Sequence, residues 1–495
     1  MHRDSVAACR RSLRAWLLPA CLVVLQTQLL GAQQTTQAQY GARRAALARA
    51  IGNGVLVVHA APEAAINRIG YVPDENLRYL TGLREPGAAL VLTVRAGVAS
   101  ERLFVNEREP AAEVWTGVRR GPARTQALTG LATAPIAQLG TAIDSLLGAA
   151  DTLLVANDTS NTSPVGRLLQ ELRKKGKAHA VRSGVRPILA LRATKSQSEI
   201  ELIATAAAIT TSGFTSAVGS IVPGAYEYEV EAAITASFRR QGADGPGFPS
   251  IVASGDNATT LHYETNDSQL APSGVVLMDI GAAYHDYSAD FTRTLPVTGR
   301  FSADQRALYE VVLDAQLAAE QAARPGTKFA TLSDSGIAHL ARGLARLGLI
   351  ESPTATYDVA PGEYCARALD GGCLQWFLYY MHSVGHGVGL DVHDPMPPTL
   401  DAGSVFMIEL GAYVRRDLQS IIPPTTRNRA FLDHVSAAQR RFAGLGMRLE
   451  DEYVVDDGEV RWLTPWPRGV AEVEQAMREA PRPPEMAGER RFPRP

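Results

Sequence analysis

The chain has 495 residues, 46% hydrophobic and 20% charged; at about 150 residues per domain, that gives two or three domains with sizeable cores. Its 49 Lys and Arg against 51 Asp and Glu leave a net charge of −2, so no broad basic field exists to hold nucleic acid or an anionic membrane. No apolar run reaches the roughly 18 residues of a stable membrane span, and the composition excludes collagen, coiled coil and wholesale disorder.

The first residues read as an export signal. Arg3, Arg10, Arg11 and Arg14 precede an apolar stretch over 15–25, Gln26, Thr27 and Gln28 break it, and Ala32 offers a small residue for cleavage. Residues 1–32 are therefore expected to be removed on export to the periplasm or the medium. Only Cys365 and Cys373 survive that cut. They bracket a short loop with Gly371 and Gly372 in a protein bound for an oxidising compartment, so a disulfide is expected.

From 33 to 185, short β-rich runs such as 54–58 and 88–92 alternate with helical stretches, the pattern of an α/β domain. Arg186-Pro187 marks the junction with a second domain over 186–470. Ser196 to Glu199 is a capping box, and Ile200, Ile203, Ala207 and Phe214 follow at helical spacing. A further helix is expected from about Glu227 to Phe238, stopping at Gly242. Ser302 with Gln305 opens another, which ends before Pro325-Gly326. Residues 471–495, rich in proline and charge, read as a frayed tail.

An internal echo links residues 273–284 with 402–413. Both are apolar, strand-like runs ending in an acid, Asp279 and Glu409, but the acids are offset by one position. That offset puts them on opposite strand faces unless a bulge intervenes. Asp290 follows Asp279 by eleven residues, which suits a hairpin returning both carboxylates to one end. Glu450 sits on a third strand, in Arg448-Leu449-Glu450-Asp451. Between the later strands lies a run from His382 to Asp394 that holds His386 and His393. Its alternating glycines, Gly385, Gly387 and Gly389, argue for extended or turning chain rather than helix.

Taken singly, an acid after a strand is a turn residue and a histidine is a satisfied polar group. Jointly, four carboxylates among Val, Leu, Met and Ile, without matching lysines, require protonation or a cation. Two divalent metals completed by an imidazole would balance Asp279, Asp290, His386, Glu409 and Glu450.

This set resembles the pita-bread metallopeptidases. The similarity covers roughly 186–467 and includes Leu261-His262-Tyr263, the paired aspartates, the His382–His386–His393–Asp394 run and Arg448-Leu449-Glu450-Asp451. In the N-terminal domain, Asn76-Leu77-Arg78-Tyr79-Leu80-Thr81-Gly82, Glu85-Pro86-Gly87 and Glu113-Val114-Trp115-Thr116-Gly117 resemble the Xaa-Pro aminopeptidase (aminopeptidase P) branch. The resemblance implies an α/β N-terminal domain followed by an α+β pita-bread catalytic domain, a curved antiparallel sheet covered by helices with pseudo-two-fold symmetry. It implies that Asp279 binds one metal, Asp290 and Glu450 bridge two, and His386 and Glu409 bind the second. Glu409 would also shuttle a proton, while His262, His382 and His393 would donate hydrogen bonds to the substrate carbonyl and the oxyanion.

The oxygen-rich ligand set suits Mn2+, with Zn2+ or Co2+ as rivals. The implied partners are proline-containing peptides and further copies of the chain in a homo-oligomer. Two other readings stay open: a prolidase confined to Xaa-Pro dipeptides, and a metal-free peptide-binding relative, which should have lost a ligand. One departure from the family is Leu410, where a proline usually follows the glutamate; it puts local geometry in doubt but removes no ligand. Residues 415–442 look polar, like a surface insertion at the rim. Arg448 and Tyr287 either support the ligands or pack the core, and Trp115 lines either a neighbouring subunit's site or the core.

Overall fold

The computed structural model describes residues 35–62, 71–147, 152–156, 163–175, 180–360, 362, 365, 368–369 and 371–481. The expected leader lies outside them, as does the end of the expected tail.

The N-terminal half opens with helix α1 (Gln37–Ile51), started by a capping box between Thr36 and Gln39. Six strands follow: β1 (Gly54–His59), β2 (Ala89–Arg95), β3 (Val98–Val105), β4 (Thr133–Pro135), β5 (Thr152–Val155) and β6 (Ala180–Ser183). They form one mixed sheet in the order β4-β3-β2-β1-β5-β6. β1 carries a run of Val and Leu over 55–58 and is buried along its whole length, as expected of a central strand covered on both faces. Helix α2 (Glu75–Thr81) is capped by Asp74, whose carboxylate accepts from the Leu77 amide.

Helix α3 (Val185–Arg192) leads into the second half. There the capping boxes at Ser196 and Ser302 start α4 (Gln197–Val218) and α6 (Ala303–Ala322). Helix α5 (Glu227–Arg240) runs two residues past its expected end, and α7 (Phe329–Arg346) pairs with α6. The helices cover an antiparallel sheet of β7 (Ile251–Ser254), β8 (Val275–Ile280), β9 (Phe291–Pro296), β10 (Val405–Val414), β11 (Leu445–Asp456) and β12 (Glu459–Trp462). The order is β10-β11-β9-β8-β7, with β12 on β11. Phe214, Phe238, Phe291 and Phe406 lie fully buried between helices and sheet.

Two expectations need correcting. Residues 415–442 are not a surface insertion, because helix α8 (Thr426–Phe442) buries Phe431, Val435 and Phe442 completely. These positions recur at helical spacing, and the polar impression comes from the arginines on the other faces. The tail is also shorter than expected. Helix α9 (Val470–Glu479) buries Val470 and Val473, and its Glu474 accepts from the Phe301 amide.

The expected disulfide between Cys365 and Cys373 is present. At Leu410 the ladder to β11 continues unbroken, and the Leu410 amide donates to Gln316 at 3.3 Å, a bond that a proline lacks. Leucine therefore extends the strand rather than loosening it. Among the described residues no helix is long and apolar enough to cross a membrane.

From Thr35 onward the chain clusters as one compact unit, and buried and half-buried ion pairs join its halves. Arg43 meets Glu199 at 2.9 Å and Arg78 meets Asp286 at 2.6 Å. Arg192 and Lys195 converge on Asp394, Lys195 from 3.0 Å. Tyr287 serves this junction by donating to Glu199 at 3.0 Å.

Candidate metal centre

Strand register brings the acids into a single row. Asp279 on β8 lies opposite Thr292 on β9, Thr292 opposite Glu450 on β11, and Glu450 opposite Glu409 on β10. Directly paired residues point to the same side of a sheet, so three carboxylates and a hydroxyl share one face at one level. The offset between Asp279 and Glu409 needs no bulge, because their strands are not neighbours and the two between them set the register.

Asp290 immediately precedes β9. A small hairpin between Asp279 and Asp290 turns at His285 and Asp286, whose φ angles are 51° and 71°, and returns the second aspartate to the row. Ligand atoms of Asp290, His386 and Glu450 all lie within 4.8 Å of one another.

The histidine run follows the free edge of β10 as extended and turning chain. The Met407 amide donates to His386 O at 2.8 Å and the Glu409 amide to Val384 O at 2.7 Å. A Cβ at Gly385 would stand 2.0 Å from Met407 O, and one at Gly387 would stand 2.4 Å from Asp394 O, so close backbone approach demands glycine at both. His386 Nδ1 lies 2.9 Å from Gly387 O, which can only accept, so that nitrogen carries the proton. Nε2 is thereby aimed at Asp290 and Glu450, each 3.6 Å away.

The electrostatics are unbalanced. Burial raises Asp279 to about 6 against the pull of Arg448, whose guanidinium lies 2.8 Å away. Burial and then the charge of Glu450 push Asp290 and Glu409 well above the carboxylate range. Burial acts on Glu450 too, but the nearby His386 imidazole, 3.6 Å away, and the Thr292 hydroxyl at 2.7 Å hold it below its usual value. Conversely, burial opposes charge on His386, and Glu450 raises it. Asp279 Oδ1 and Glu450 Oε1 are buried acceptors without a hydrogen-bond partner. Unpaired buried acceptors beside crowded carboxylates fit divalent cations, which replace the protons otherwise needed.

The other histidines divide into two kinds. His382 Nδ1 lies 2.8 Å from Ser383 O and Nε2 2.8 Å from the Tyr413 hydroxyl, with Glu409 at 3.5 Å. Burial lowers its pKa to about 3. Both nitrogens are engaged, so in this arrangement it has no N–H left for a substrate and instead steadies Tyr413 and Glu409. His393 is exposed, with its ring 4.3 Å from that of His386. His262 is also exposed and lies within electrostatic reach of His393.

Arg448 braces the acids, spanning Asp279, Glu409 at 3.8 Å and Tyr413 at 3.1 Å. Trp115 is 86% exposed, which rules out the core. Thr292, Tyr413 and Glu452, which accepts from the Asp290 amide at 3.3 Å, were missed by the sequence reading. The available signal was period-two spacing: Thr292 follows Asp290 by two, Glu452 follows Glu450 by two, and Tyr413 follows Glu409 by four.

Known proteins share this architecture. The sequence matches metallopeptidase family M24 over residues 201–457 and the aminopeptidase P N-terminal domain over 40–155. It is 31% identical to a Xaa-Pro aminopeptidase of Haemophilus influenzae over 82% of this chain and 88% of that one. It is 30% identical to human Xaa-Pro aminopeptidase 3, covering 82% of this chain and 77% of the relative. The solved structure of Escherichia coli aminopeptidase P with the inhibitor Pro-Leu superimposes with a TM-score of 0.75 at 27% identity, covering 90% of this chain and 99% of that one. An α/β N-terminal domain, the pita-bread sheet and an acid-lined group able to hold a divalent metal thus coincide in one molecule, and the chain belongs to metallopeptidase family M24, whose aminopeptidase P members are metal-dependent exopeptidases.

Proposed function

We propose that the chain is a dinuclear metal-dependent aminopeptidase that releases the first residue from peptides with proline in second position. The row of Asp279, Glu450 and Glu409, joined by Asp290 and His386, supports this most directly, because its buried acceptors are left open. Asp279 would hold one cation, Asp290 and Glu450 both, and His386 and Glu409 the second. Bound there, such ions act as Lewis acids on a carbonyl and bring the pKa of water from about 15.7 toward about 7.

The protein's own groups supply the rest. Glu409, half-buried and with its proton affinity raised well above the carboxylate range, would accept a proton and return it to the leaving amine. His262 and His393, both exposed, would donate to the carbonyl and to the oxyanion. Arg448 fixes Asp279 and limits where the acids can move. An Xaa-Pro bond is a tertiary amide without an N–H, so selectivity must come from an apolar seat for the ring rather than from a backbone acceptor. Manganese suits so many oxygen ligands, with zinc or cobalt as rivals. Export after removal of residues 1–32 and a homo-oligomer belong to the same proposal, supported by the leader composition and the family.

The test pairs metal analysis with hydrolysis of Xaa-Pro-Xaa tripeptides, Xaa-Pro dipeptides and Xaa-Ala controls. The expected result is close to two equivalents of metal and release of the first residue from the tripeptide. Cleavage of the dipeptide alone favours a prolidase; no metal and no turnover with added manganese favours a peptide-binding relative.

A further inference from the structure

His262 is presented by the connection between β7 and β8, which has little regular structure beyond a short turn of helix at Gly255–Thr259. Among the described residues its own ring has no hydrogen-bond partner, so the imidazole can be no better placed than its loop. That loop is gathered onto one carboxylate. Glu227, the first residue of α5, is 0% exposed and accepts five hydrogen bonds from it. On one oxygen these come from Ser254 N and Oγ, both at 2.7 Å, and Asn257 Nδ2 at 3.2 Å. On the other they come from the Tyr263 hydroxyl at 2.8 Å and Ser268 N at 2.9 Å.

The donors straddle His262: Ser254 and Asn257 precede it, Tyr263 and Ser268 follow it. A carboxylate offers about four acceptor positions, so Glu227 is filled to capacity by this one segment. Helix α5 does not need the carboxylate to stay docked, because Val230, Ile234 and Phe238 anchor it through fully buried apolar surface. The sheet side is secured separately by Arg448, which donates to Leu261 O at 3.3 Å.

We propose that Glu227 is a positioning residue for His262, fixing the loop so that the imidazole meets the reacting carbonyl. This rests on the assignment of His262 as a hydrogen-bond donor to substrate. Charge-assisted bonds of this kind are among the stronger ones, and misplacing a catalytic group by about 1 Å can cost roughly a hundredfold in rate. A glutamine in place of Glu227 would have the same shape, but its amide NH2 would face donors and could accept from none of them.

The experiment is a double-mutant cycle on the metal-loaded enzyme, reading kcat, KM and bound metal for Glu227→Gln, His262→Ala and the pair. His262→Ala should lower kcat by about 10²–10³-fold, the usual cost of one oxyanion donor. Glu227→Gln should lower kcat by roughly 10–100-fold, with KM within about twofold and metal unchanged. In the His262→Ala background the same change should have almost no further effect. Multiplying losses would overturn the proposal while leaving the role of His262 intact. Unchanged kcat in His262→Ala overturns the assignment of His262 itself. Should Glu227→Gln not fold, Tyr263→Phe removes one donor more gently, with a loss of about five- to tenfold that must likewise vanish in the His262→Ala background.

Discussion

Glu450 and Asp451 are adjacent on β11 and face opposite sides of the catalytic sheet, where buried charge is treated in opposite ways. Around Asp451, Arg293 donates from 2.6 Å, Trp462 from 3.0 Å, and Thr464 and Arg468 from 3.3 Å. Arg468 also meets Glu320 at 2.7 Å, so two arginines answer two carboxylates. Around Glu450, four further carboxylates, Asp279, Asp290, Glu409 and Glu452, crowd together against Arg448 and one imidazole, and three acceptor atoms remain open. One side closes its charge balance with its own side chains, and the other leaves it for a cation. The contrast separates a structural ion network from a reactive site more sharply than burial alone, since both acids are almost wholly enclosed.

Substitution can test that contrast from both sides. Glu450→Gln is expected to strip metal and lower kcat by more than about 10³-fold, beyond the loss of a single donor; metal analysis and peptide hydrolysis check this, and retained stoichiometry would contradict it. Asp451→Asn should do the reverse, keeping the metal while costing about 3–5 kcal/mol of stability, because Arg293 is left buried without its counter-charge. Denaturant titration alongside metal analysis would show whether that division holds.

A smaller effect should appear in pH dependence. Asp279 rises from 3.8 to about 6 in the fold, so between those values the folded chain keeps a proton that the unfolded chain has released. Stability of the metal-free protein should therefore fall as pH rises from about 4 to 6, by roughly 1–3 kcal/mol. Asp290 and Glu409 contribute with the same sign at higher pH. Added metal should reverse the slope, because ligands must lose protons to bind it. Chelated and metal-loaded samples melted across that range would test both trends.

Much of the candidate site was legible in the sequence because each of its acids closes or adjoins a strongly apolar strand. The helix starts at Ser196 and Ser302 were legible because capping boxes are local. What escaped depends on register and on distant partners. The offset of Asp279 and Glu409 resolves only once Thr292 and Glu450 stand between them. Glu227 looked like an ordinary helix opener, since its five donors lie 27 to 41 residues away. Helix α8 was misread because a narrow apolar stripe carries Phe431 and Val435 inward while arginines dominate the composition. His382 shared a motif with His386, and only the nearby Ser383 carbonyl and Tyr413 hydroxyl distinguish their duties.

The arginines at the junction limit how this enzyme can be recombined. A fragment beginning at residue 193 would retain every candidate ligand, yet Glu199 and Asp286 would lose Arg43 and Arg78, and Asp394, beside His393, would keep Lys195 alone. Transplanting a foreign N-terminal half would strand the same acids unless it delivered guanidinium groups at matching places. Charge complementarity between the two halves should therefore constrain any chimera more tightly than the length of the connecting helix.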